Sequence, residues 1–192
     1  MPTSTRSYHH GDLPSALVQA ALELLEEGGA TELSLRAAAR RAGVSTAAPY
    51  RHFADRDALL SAVAAVGYRD LAEQLAAASP SPKTPDDLAD IAIAYVNFAL
   101  TRPGLFRAMF AEPCDPTSPE RVAAVDAISA YLKSIVQQAV PASDPDAMAK
   151  AVWALVHGLA FLHLDGKFDS SSPDTVAATV RATVSAALGQ LT

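Results

Sequence analysis

The chain reads as an all-α protein, and three observations predict that class. Half of its 192 residues are hydrophobic, with abundant alanine, only nine glycines and 6% aromatics, a composition that favours helix and supports a sizeable buried core. Apolar side chains recur at helical spacing, as in Leu13, Leu17, Ala20 or Ala21, and Leu24. A cap, proline, acid device recurs at Thr84-Pro85-Asp86, Ser118-Pro119-Glu120, Asp144-Pro145-Asp146 and Ser172-Pro173-Asp174. Each marks a helix start, where proline loses no needed hydrogen bond and the acid meets the positive end of the helix dipole.

These marks divide the chain into about nine helices. The first runs over about 12–28, capped by Asp12. Short helices follow near 35–42 and 46–52, then a long one from about 56, opened by Asp55 and carrying Leu59, Leu60, Val63, Leu71 and Leu75. The proline-rich stretch Ser79 to Pro85 separates an N-terminal head from a second helical unit. Beyond it, helices are predicted near 85–101, 104–111, 119–140, 145–165 and 173–190, with stops at Gly28-Gly29, Pro103-Gly104, Pro141 and Gly166. The predicted organisation is a flexible arm over 1–8, a head with its connecting helix over 9–78, and a C-terminal domain over 85–192.

Residues 34–53 carry the most specific pattern, two short helices joined by a tight turn, the helix-turn-helix that lays a helix in the DNA major groove. Gly43 is predicted at a turn where a side chain would crowd the crossing helices, Val44 plugs the gap between them, Ser45 caps the second helix, and Phe53 belongs to the core. Arg36, Arg40, Arg41, Arg51 and Arg56 gather here, in a chain whose net charge is -6. That balance disfavours indiscriminate nucleic-acid binding and requires a concentrated positive face. The single cysteine, Cys114, excludes an internal disulfide, and no Cys/His cluster has zinc-ligand spacing. No metal or cofactor is expected. The reading also expects no secretion signal, no segment apolar for long enough to cross a bilayer, and a cytoplasmic location. Neither His157 nor Cys114 has a visible activating partner, so an enzyme is not expected.

The pattern Leu35 to Ala39, Gly43-Val44-Ser45, Tyr50 to Phe53 and Asp55 to Leu60 closely resembles the DNA-binding domain of tetracycline-repressor-like (TetR-family) transcriptional regulators, over about residues 9–70. The resemblance implies a homodimeric, all-helical repressor. One head sits on each operator half-site, and a C-terminal domain binds an effector and dimerises through its last two helices. It places Ser34, Arg36, Tyr50, His52 and Arg56 at phosphate-contacting or nearby positions, with Ser45, Thr46, Ala47, Ala48 and Arg51 completing the DNA-facing set. Thr46 can bond a base or phosphate, and the alanine methyls can touch thymine methyls. Pro49 replaces the leucine or isoleucine of many relatives, and in a first turn the helix is expected to survive it. Arg40 and Arg41 cannot both face the duplex.

A weaker resemblance, carried by Trp153 and His157-Gly158 and by Tyr95 to Phe110, points to a subgroup of that family. Tyr95, Phe98, Phe106, Met109, Phe110, Trp153, His157 and Phe161 are candidates to line an apolar cavity for a small apolar effector, with plain core the favoured reading for most. His157 is the best candidate for a polar ligand contact; a buried histidine, with Gly158 allowing close helix packing, is an equal alternative. Met148, Val152, Leu155, Val156 and Leu159, with Val176, Val180, Val184, Ala187 and Leu188, form stripes that either pair two copies as a four-helix bundle or close the monomer core. A constitutive DNA binder whose C-terminal domain holds a protein partner is the alternative function.

Overall fold

The computed structural model describes residues 13–140, 142 and 144–188. Asp12, the arm over 1–8, Pro141 and residues 189–190, the predicted end of the last helix, lie outside the described residues. Eight α-helices are present and no strand among the described residues: α1 (Leu13–Gly28), α2 (Leu35–Arg41), α3 (Arg56–Ala78), α4 (Pro85–Thr101), α5 (Pro103–Phe110), α6 (Pro119–Ala139), α7 (Pro145–Leu164) and α8 (Pro173–Leu188).

The repeated device works as its chemistry dictates. The side chains of Thr84, Ser118, Asp144 and Ser172 each accept a hydrogen bond from the backbone N–H three residues on, opening α4, α6, α7 and α8. At α4 the box is reciprocal, because Asp87 returns a bond to the Thr84 N–H. Ser34 and Asp55 cap α2 and α3 in the same way. The predicted stop at Pro103-Gly104 is instead the first turn of α5.

The expected second helix of the head, 46–52, is replaced by turns and a single 3₁₀ turn, Pro49–Arg51. Proline has no N–H to return to the carbonyl of Ser45, so the only bond there is the tighter one from Ala48 N–H, at 3.0 Å. Ser45 therefore caps nothing, and Ala48 precedes the turn without a side-chain bond. Gly43 has φ +72°, and a Cβ there would meet nothing within 4 Å. Its need is for the left-handed backbone, not for relief of crowding.

α3 spans both halves, packing on α1 at one side and on α4, α5 and α6 at the other. α5 is clamped beneath the head. A Cβ on Gly104 would sit 2.0 Å from the Leu25 carbonyl oxygen, so only glycine lets α5 approach α1 this closely. Arg102 reaches Glu26 of α1 at 3.4 Å and Asp70 of α3 at 2.6 Å, and Tyr68 donates its buried hydroxyl to the Met109 carbonyl at 3.0 Å. α4 is the central helix of the second half, covered by α7 on one flank and α8 on another. Val176, Val180, Val184 and Leu188 of α8 are buried there. Val156 and Leu159 of α7 are buried as well, while Met148, Val152 and Leu155 pack partly buried against the same core.

Of the two alternatives for these stripes, their burial matches closure of the monomer core. The valine stripe of α8 and the Val156–Leu159 face of α7 close the monomer, and of the ten residues only Ala187 is exposed. The opposite face of α7 carries Ala147, Ala151, Ala154, Gly158 and Leu162 at helical spacing without a charge. By length and composition alone α7 is long and apolar enough to cross a membrane, which corrects the expectation that no segment is. Most of it is not buried, because α7 is apolar on two faces and the monomer covers one.

Candidate DNA-facing and effector sites

The head presents a compact outer patch. Ser45, Thr46, Ala47, Tyr50, Arg51 and His52 are exposed, with Arg36 and Arg40 exposed one turn apart on α2. Tyr50 is 53% exposed although it follows a buried proline. The 3₁₀ turn holds it out, and Phe53, 9% exposed, anchors the segment from inside as expected. Ala48 is half-buried, and Val44 packs against the core. The Ser34 hydroxyl accepts from the Ala37 N–H at 3.1 Å, so its first task is the cap of α2.

The arginines divide sharply. Arg41 turns back onto α1, pairing with Glu23 and Glu27, the latter through two hydrogen bonds that hold the Glu27 carboxyl below its usual range. Arg56, expected on phosphate, is committed elsewhere. Its guanidinium donates to the carbonyls of Leu33 at 3.2 Å and Ala30 at 2.9 Å and meets Glu112 at 3.3 Å, tying α3 to the loops after α1 and α5. Arg36, Arg40 and Arg51 have no ion-pair partner among the described residues.

In the second half, three voids share Leu132 of α6 and Trp153 of α7 as walls. A recess of about 340 Å³ opens between α6 and α7, lined by Ser129, Leu132, Lys133, Asp146, Ala149, Lys150 and Trp153. Behind it, two voids of about 30 Å³ each lie against Tyr95. One adds Leu75, Leu88, Ile91, Ile135, Val136, Val152 and Val156, the other Tyr68, Phe110, Val125 and Ile128. Of the eight expected cavity residues, Tyr95, Phe110 and Trp153 line these voids. Phe98, Phe106 and Met109 are buried packing, the plain-core alternative for them, and Phe161 meets His157 edge to face without lining a void. The aliphatic walls were missed, since leucine and valine at helical spacing look the same in a void as in a core. Val152 and Val156 had been expected at a partner surface.

Tyr95 is the polar floor. Its Oη lies 2.9 Å from His157 Nδ1, and burial raises the phenol's pKa and lowers the imidazole's, so both stay neutral. Phe106, Phe110, Trp153 and Phe161 surround that imidazole at centroid distances of 4.7 to 6.2 Å. Gly158 faces open space, so it does not serve close packing within the monomer.

An all-helical chain with a helix-turn-helix head and a helical second half holding a small void defines a class, the bacterial helix-turn-helix regulators. Residues 17–63 match the family described as bacterial regulatory proteins, tetR family, and residues 88–187 match the tetracyclin repressor-like C-terminal domain. The chain belongs to the TetR family of transcriptional regulators. It is similar to a solved protein of unknown function from Rhodococcus sp. RHA1, with 34% identity, 95% of this chain and 98% of that one covered, and a TM-score of 0.78. A solved regulatory protein designated SCO4313 is 30% identical over 92% of this chain and 95% of that one, with a TM-score of 0.61. The HTH-type transcriptional regulator Rv1816 of Mycobacterium tuberculosis is 31% identical over 118 residues, 59% of this chain. That match spans about half the length of the curated relative, 50%.

Proposed function

We propose that this protein is a homodimeric, sequence-specific DNA-binding regulator, cytoplasmic, and a repressor released from its operator by a small molecule. The single observation that carries DNA binding is the exposed, cationic and uncharged-polar patch of Arg36, Arg40, Thr46, Tyr50, Arg51 and His52 on an otherwise acidic chain. Arg36 and the Tyr50 hydroxyl hold phosphates, and Thr46 with the Ala47 and Ala48 methyls meets base edges. Arg56 acts as a brace for the head instead of a direct contact. Residues 9–78 form the reading domain and 85–192 the regulatory domain, with α3 shared between them.

The outer faces of α7 and α8 form the dimer contact. Besides the charge-free α7 face, α8 turns outward Ala178, Ala182 and Ser185, all small and uncharged, which permits close helix approach. Two copies packed there would carry two heads about one DNA turn apart, roughly 34 Å. An effector in the void between α6 and α7 weakens DNA binding only through its preference for the non-binding state.

The test is a binding titration of the purified chain on DNA from upstream of its own coding region, at several salt concentrations. Saturable binding that survives competitor DNA and weakens linearly with log salt is expected. Equal affinity for shuffled DNA overturns the reading.

A further inference from the structure

We propose that the recess between α6 and α7 takes a linear amphipathic anion, its aliphatic chain lying against Leu132, Ala149 and Trp153 and its anionic head held at the mouth by Lys150. The inference rests on the reading of this half as an effector domain and names the chemistry of the effector. Three observations carry it.

First, the recess has an apolar side. Leu132, Ala149 and Trp153 form it, opposite Ser129, Lys133, Asp146 and Lys150, and behind it lies a void of about 30 Å³ walled almost wholly by aliphatic side chains around Tyr95. That is a surface for methylenes, each worth about 0.8 kcal/mol when buried. Second, the charge at the mouth has one sign in surplus. Lys133 and Asp146 neutralise one another at 2.7 Å, leaving the Lys150 ammonium without an ion-pair partner among the described residues. In a chain of net charge -6, a cationic rim on an apolar hole is a local inversion that attracts an anion. Third, the inner voids have no carboxylate in their walls, and their polar floor, the Tyr95–His157 pair, is neutral. A cation would find no carboxylate there as a counter-charge.

Trp153 is the only tryptophan in the chain, is 42% exposed, and walls all three voids, so its fluorescence reports occupancy. The experiment titrates the full chain with decanoate, decanol and decyltrimethylammonium, each below its micelle concentration, reading Trp153 emission and, independently, calorimetric heat. Decanoate is expected to bind at least tenfold more tightly than decyltrimethylammonium, with decanol between them. Lys150→Glu is expected to abolish or reverse that order, and Lys150→Gln to level it. Ala149→Phe, which fills the recess, is expected to weaken all three, with circular dichroism confirming that each variant is folded. A cation that binds as tightly as the anion, an order unmoved by either Lys150 change, or no binding by any of the three overturns the proposal. Operator binding without ligand is measured alongside. A chain that holds its operator yet ignores all three amphiphiles loses this assignment and keeps its place as a regulator, whereas one that takes decanoate and no DNA does the reverse.

Discussion

The two halves of the molecule turn opposite faces to water. In the head, the segment from Gly43 to Phe53 buries one aromatic and one proline and puts hydroxyl, imidazole and guanidinium groups outside. In the second half, α7 sends His157 and the buried His163 inward and leaves alanine, glycine and leucine outside. A surface rich in donors and positive charge suits a polyanion; an uncharged surface of small side chains suits another helix. The contrast teaches that the same helical scaffold is addressed to two kinds of partner by inverting which side of a helix is polar.

The largest expected effect breaks the apolar side of this contrast. Ala154→Glu puts a carboxylate in the middle of the outer face of α7 and is expected to convert the dimer to monomer by sedimentation. Operator affinity is expected to fall by about a hundredfold or more, since two linked heads bind through effective concentration. A dimer that survives the change moves the interface elsewhere. Next in size is the joint between the halves. Gly104→Ala forces a methyl onto the Leu25 carbonyl, where backbone cannot yield easily. A loss of about 3 kcal/mol is expected, or roughly 10 °C in Tm for a chain of this size.

The polar side is tested more gently. Arg36→Ala should cost about tenfold in operator affinity and lower the salt slope by about one, while Arg41→Ala, already folded back onto α1, should leave both nearly unchanged. Equal losses in the two variants would deny that the head sorts its arginines. The smallest effect concerns His157. Burial lowers its pKa from 6.5, so the unfolded chain binds the proton more readily. Stability should therefore be flat above about pH 6.5 and fall as pH drops through that value. His157→Gln should reduce this slope in melts between pH 7.5 and 5.5, and His163, lowered for the same reason, should retain part of it.

Local chemistry was legible wherever one residue acts on its own backbone. Thr84, Ser118, Asp144 and Ser172 open helices within a residue of where their cap-proline-acid pattern places them, and Phe53 is core as the one aromatic of its turn without a polar group. Facing was not legible. The α8 valines make as good a stripe for a partner as for α4, and only the three-dimensional neighbour decides. Arg56 shows the same limit, since its carbonyl acceptors lie 23 and 26 residues away. Pro49 was visible, but its effect depended on whether tertiary packing would hold a normal helix around a missing bond. Leu75, Leu132 and Ile135 line a void that no spacing announces.

Among α4 to α8, α5 alone starts without a side-chain cap, and it is only eight residues long. A helix that short has little stability of its own, so its ends are held by what surrounds it: Arg102 on Glu26 and Asp70, Gly104 against α1, Phe106 and Phe110 against His157. Its hydrogen bonds should therefore open at lower cost than those of its neighbours, and amide exchange should single it out. The element joining the head to the void is thus the one whose existence depends on both, and loosening either end is felt at the other as melting, with no rigid lever required.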